Sequence, residues 1–229
     1  MQKGQTTTII NNKLDTTQMS KPIVYTIGHS THQLDYFLEL LKEYEINCVV
    51  DVRSVPASAY NPQYNQESFK NFLKSHKIIY LHFAEEFGAR QTDPDLLDNE
   101  GKLDFDKVRN TRLFKIGLER IWQGVEKGYT IAIMCAESEP LDCHRFSMVS
   151  FGLEKDGFEV KHILKDKSIK SNAELEKDLL KKFEKKLPQK SLFEPDITVE
   201  DQLKAAYRLK NKEIGYSPYS NNQKEENYD

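Results

Sequence analysis

The 229-residue chain has little of several things, and each scarcity excludes a class of protein. Three cysteines, Cys48, Cys135 and Cys143, are too few for a secreted disulfide framework. Ten glycines and eight prolines rule out a collagen-like chain. No apolar run approaches the roughly 20 residues that a membrane helix needs. Neither sign of charge dominates: 33 Lys and Arg against 36 Asp and Glu give a net charge of −3, so no global basic field points to nucleic acid. The first twenty residues are polar, and Ile9-Ile10 is far too short for the apolar core of a secretory signal. These absences predict a cytoplasmic protein with reduced thiols.

What is present is an alternation of short β-branched runs and helical stripes. Residues 22–27, 48–52, 78–83, 129–135 and 158–163 read as strands. Between them Leu34, Phe37, Leu38 and Leu41 mark a helix. Further helices are marked by Phe69, Phe72 and Leu73, by Leu118, Ile121, Trp122 and Val125, and by Phe146, Val149 and Leu153. The pattern predicts an α/β fold: a mostly parallel open sheet of about five strands, helices on both faces, and a helical C-terminal extension. Residues 1–20 read as a disordered leader, 21–164 as the α/β core, 165–216 as a helical extension and 217–229 as a frayed tail. The stretch 165–190 holds nine lysines against five acids. Because the extension lies outside the predicted sheet, its role is expected to be separable from the site: truncation after Leu164 is expected to leave the strand-end residues in place even where it destabilises the domain.

Ligands of open α/β sheets bind beyond the carboxyl ends of the strands. There this chain places His29 and Ser30, then Asp51, Arg53 and Ser54, then Cys135 and Glu137 followed by Cys143, His144 and Arg145. We read Asp51, Glu137 and Cys135 as candidate catalytic residues. His29, Ser30, Arg53, Ser54, Cys143, His144 and Arg145 are read as substrate-binding, with Arg53 and Arg145 holding anionic groups. Asp51 and Arg53 also suit a structural ion pair, and Cys135 also suits a buried, inert thiol. A phosphatase or rhodanese loop would need an arginine six residues after the cysteine; here the gap from Cys135 to Arg145 is ten. Cys135, Cys143 and His144 are set aside as metal ligands, because adjacent residues on a helix project about 100° apart. No cofactor is assigned.

Thr26-Ile-Gly-His-Ser30, Asp51-Val-Arg-Ser-Val-Pro-Ala-Ser58, Phe87-Gly-Ala-Arg90, Met134-Cys-Ala-Glu137 with Pro140, and Cys143-His-Arg145 occur in that order. Together they resemble the bacterial and archaeal family called domain of unknown function 488, over about residues 25–163. The resemblance implies the fold and the strand-end site but no reaction. The leading expectation is an enzyme acting on a nucleotide or nucleic acid. One alternative is a non-catalytic nucleic-acid or sliding-clamp-associated module. The other is a thiol redox protein using Cys135 and Cys143. Gln189-Lys-Ser-Leu-Phe193 resembles the clamp-docking peptide of bacterial replication and repair proteins. That resemblance implies that Gln189, Leu192 and Phe193 dock on a sliding clamp; Leu192 and Phe193 also suit a tether of the tail to the core.

Overall fold

The computed structural model describes residues 20–190 and 196–219. Six strands form one sheet: β1 (Ile23–Gly28), β2 (Cys48–Asp51), β3 (Ile79–His82), β4 (Ile131–Cys135), β5 (Glu159–Ile163) and β6 (Ile169–Ser171). Their order is β3-β2-β4-β1-β5-β6. The first five run parallel, and β6 pairs antiparallel with β5. The α/β prediction holds, with one strand more than the sequence reading gave. β6 escapes a periodicity search because it is three residues long and follows a tight turn in which Lys167 has φ of 70°.

Alternation along the strands builds the two faces of the sheet. Val49, Ala132 and Met134 face α1 (Leu34–Glu43) and α2 (Gln66–Ser75), whose Phe37, Leu41, Phe69 and Leu73 complete that core. Val50, Ile131 and Ile133 face the other way. There they meet α3 (Ala84–Phe87), α4 (Phe105–Asn110), α5 (Arg112–Glu126) and α6 (Phe151–Lys155) through Phe87, Phe105, Phe114, Ile121 and Leu153. Both faces are covered, so β2 and β4 are apolar throughout until Asp51 at the tip of β2.

The strand order sets the position of the crevice. From β1 the chain crosses to β2 and β3 on one side; from β4 it crosses to β5 and β6 on the other. The loops leaving the adjacent strands β1 and β4 therefore diverge to opposite faces. That divergence is the switch point at which open α/β sheets bind ligands.

The extension packs against the sheet domain through a third apolar cluster. α7 (Asn172–Phe183) and α8 (Val199–Ile214) pack Leu175, Leu179, Ala206 and Tyr207 around Phe146. Asn211 of α8 accepts the Phe105 backbone N–H at 2.8 Å and donates to the Leu103 carbonyl at 2.7 Å. Lys165, Lys167, Lys170 and Lys182 of the lysine-rich stretch pair with carboxylates. No helix among the described residues is long and apolar enough to cross a membrane.

Candidate functional site

Each strand end delivers its residues for a local reason. After β1, backbone bonding continues past the strand: His29 N–H donates to the Cys135 carbonyl at 3.0 Å and Ser30 N–H to that of Ala136 at 2.8 Å. Gly28 permits this approach, since a Cβ there would lie 1.9 Å from the Glu137 carbonyl oxygen. The His29 Nδ1 faces the Ser30 carbonyl at 2.8 Å, so it carries the proton. Nε2 then accepts from Arg53 Nη1 at 3.2 Å. Burial first, then the Arg53 charge, lowers the pKa of His29 to about 4, and its ring stacks on Tyr64 at 4.2 Å.

At the end of β2, Asp51 is fully buried and closed in. It accepts from Arg53 Nε at 2.9 Å, Arg53 Nη2 at 2.6 Å, the Arg53 amide at 3.0 Å and the Tyr80 hydroxyl at 2.7 Å. Asp51 is thus the anchor of Arg53, and the structural ion pair is the arrangement present. The catalytic role expected of Asp51 gives way to a positioning one, because its oxygens are already saturated and sealed from the crevice.

After β4 the chain makes a single 3-10 turn over Pro140–Asp142 and then a π-helical turn over Arg145–Ser150, whose residues are all buried. Ser150 Oγ donates to the Arg145 carbonyl five residues back. Such π turns concentrate at functional sites. Arg145, predicted to hold an anion, points inward instead. It is wholly buried, and Nη1 and Nη2 donate to the Glu137 and Ser138 carbonyls at 2.6 and 2.9 Å. It shapes the loop that carries Glu137.

The same turn overturns the argument against converging Cys143 and His144. Cys143 is extended, with φ of −127° and ψ of 144°, while His144 is already helical at −62° and −22°. Their side chains therefore point to one spot. Cys143 Sγ donates to Glu137 Oε2 at 2.9 Å, and His144 Nδ1 lies 3.8 Å from Cys135 Sγ and 3.9 Å from Cys143 Sγ. One potential ligand atom from each of Cys135, Glu137, Cys143 and His144 falls within 4.8 Å of all the others. All three cysteines are free. A hydrogen bond with Cys143, together with burial, holds the Cys135 thiol well above its usual range. Burial would raise Cys143 too, but the Cys135 thiol and the Arg145 and His144 charges outweigh it and bring it well below. Desolvation of its carboxyl against the cluster, then Cys143, raises Glu137, although the residue as a whole is exposed. Cys48, remote in the core, is pushed up to about 11 by burial.

These groups open on a cleft of about 420 Å³. His29, Arg53, Ser54, Cys135, Glu137 and His144 line it, as the strand-end argument predicts. Asp51, Cys143 and Arg145 do not, being buried, and neither does the half-buried Ser30. Sequence reasoning missed Ser58, Asn61, Arg90, Ile214 and Tyr216, which also line the cleft. Arg90 is held there by its amide, which donates to Ser54 Oγ at 2.9 Å, and no carboxylate among the described residues pairs with its guanidinium. Its only signal was the Phe87-Gly-Ala-Arg90 motif. Tyr216 carries none, since it arrives on the far end of α8. Larger hollows between α4, α5 and α6 and along the lysine-rich extension contain neither thiol nor imidazole. Gln189, expected on a clamp, donates to the Glu184 and Leu187 carbonyls at 3.2 and 3.4 Å; Leu192 and Phe193 lie outside the described residues.

Fold and site together define a doubly wound α/β protein with a thiol, imidazole and carboxylate cluster at its switch point. The model of the family described as Domain of unknown function DUF488 matches residues 33–151, and the chain belongs to that family. No curated protein and no solved structure matches it.

Proposed function

We propose that the chain is an enzyme acting on a phosphate-bearing substrate of the nucleotide or nucleic-acid class. The observation that carries this reading is the cleft at the switch point. It sets Arg90, with no carboxylate partner among the described residues, and the Nη1 edge of Arg53 beside Glu137 and His144. Cationic donors of this kind hold an anion, and a carboxylate and an imidazole next to them supply acid–base chemistry. Arg90 takes the anion-holding part first expected of Arg145. Asp51 acts only through Arg53.

Calorimetric titration with mononucleotides, single-stranded oligonucleotides and duplexes, each followed by a turnover assay, tests the proposal. Arg90→Ala is expected to weaken binding about 10-fold or more, the worth of a hydrogen bond to a charged group. Glu137→Gln is expected to retain binding and lose turnover. Failure of every phosphate-bearing ligand to bind, or binding indifferent to Arg90→Ala, would overturn the reading.

A further inference from the structure

We propose that Cys135, Cys143, His144 and Glu137 form a zinc site, built into the crevice between β1 and β4 and open to the cleft through Glu137. The inference rests on the cluster alone; with zinc bound, Glu137 and His144 are ligands, so the acid–base part given to them above belongs to the metal-free chain.

The donor set suits zinc. Two sulfurs, one imidazole nitrogen and one carboxylate oxygen make four ligands of the kinds this borderline-soft ion takes. The spacing suits it as well. Tetrahedral bonds of about 2.3 Å to sulfur and 2.05 Å to nitrogen place a sulfur and a nitrogen about 3.6 Å apart. The two sulfur-to-Nδ1 distances here are 3.8 and 3.9 Å. Glu137 must shift: its Oε2 lies 2.9 Å from Cys143 Sγ and would retreat by about 0.7 Å. Glu137 is the exposed member and is free to make that movement, whereas both cysteines are buried.

The surroundings resemble the outer shell of a metal centre. The Arg145 amide donates to Cys143 Sγ at 3.4 Å, a bond that steadies a thiolate. The Arg145 guanidinium fixes the Glu137 and Ser138 carbonyls and brings a buried positive charge near a donor set that carries three negative charges when metallated. His144 presents Nδ1 to the sulfurs, and its buried Nε2 has no hydrogen-bond partner among the described residues. Ligating histidines commonly give their second nitrogen to a carboxylate, a backbone carbonyl or a water, and an unpartnered buried nitrogen leaves that position open. Without an ion, two thiols, an imidazole and a carboxylate crowd one spot, where burial favours neither unpaired charge nor unpaired polarity.

The test uses the full chain. Metal is stripped with a chelator under reducing conditions, zinc is restored, free zinc is removed, and the bound metal is counted by mass spectrometry. One zinc per chain is expected. Cobalt in place of zinc is expected to give intense visible bands typical of tetrahedral thiolate ligation. Cys143→Ser is expected to weaken zinc binding by roughly 100-fold or more, beyond the usual effect of an outer-shell change. Cys48→Ser is expected to bind as the parent does. Because Cys143→Ser removes a buried group, Glu137→Gln serves as a second variant at an exposed position, expected to weaken binding roughly 10-fold and to shift the cobalt spectrum. The proposal is overturned if the folded chain retains no zinc or if the cobalt spectrum lacks thiolate character. It is also overturned if Cys135 and Cys143 form a stable disulfide in glutathione buffer, the result the redox alternative requires.

Discussion

His162 shows what one buried residue can do to the whole chain. It is fully buried at the end of β5. Its Nδ1 accepts from the Thr26 hydroxyl at 2.8 Å and its Nε2 donates to the Asn172 carboxamide oxygen at 3.2 Å. Burial, with Arg145 nearby, lowers its pKa to about 3, against 6.5 unfolded. The unfolded chain therefore binds the proton more readily. The neutral ring contributes its full stability above pH 6.5, and that contribution drains away as the pH falls toward 3. By pH 4.5 the loss is about 2–3 kcal/mol. Urea unfolding at pH 7 and pH 4.5 should show a drop in the parent that is smaller by about this amount in His162→Gln. Equal drops in both proteins would show that the ring does not carry the acid sensitivity.

At the scale of the element, the strand ends do the positioning. β1 and β4 stay bonded beyond their last residues, so His29 and Glu137 emerge side by side, and Gly28 is the residue that allows it. A methyl group there would meet a backbone oxygen, which cannot swing aside as a flexible side chain would. Gly28→Ala is expected to cost about 3 kcal/mol, read from the urea midpoint, as the Glu137 loop is forced away. An unchanged midpoint would mean that the loop moves freely. The π turn acts in the same way. By adding a residue to the turn it sends Arg145 inward, while Phe146 packs on the extension and Met148 and Val149 join the core.

On the scale of the whole molecule, the extension closes the site. β6 pairs with β5, Tyr207 stacks on Phe146 at 5.4 Å, Lys210 bonds Asp142 at 3.0 Å, and Ile214 and Tyr216 wall the cleft. Ending the chain after Leu164 would strip Phe146 and leave the His162 ring without Asn172. Such a truncation is expected to lose cooperative thermal unfolding, as followed by circular dichroism. A truncated chain that melts as the full one does would show that the extension carries no part of the fold's stability.

Much of this was legible in the sequence alone. The β-branched and apolar runs of the strands, the helical stripes and the Gly-His-Ser and Asp-Val-Arg strand ends are local signals. They determined the alternating α/β order, and that order determined which edge of the sheet would gather titratable groups. The partner each of those groups would take is not a local property. Arg145 read as an anion-holding cation and Arg90 only as part of a motif; packing beneath the Glu137 loop turned the first inward, and the Ser54 contact held the second at the cleft. Cys143 and His144 read as helical neighbours that diverge. An extended residue before the π turn made them converge, and no periodicity marks such a turn. Asp51 read as reactive until Tyr80, from the next strand, and Arg53 closed over it. Tyr216 had no signal at all, because α8 brings it from far along the chain. Period and residue type along the sequence encode burial and direction, whereas the charge or donor a side chain meets depends on segments distant in sequence, and only the tertiary structure sets those side by side.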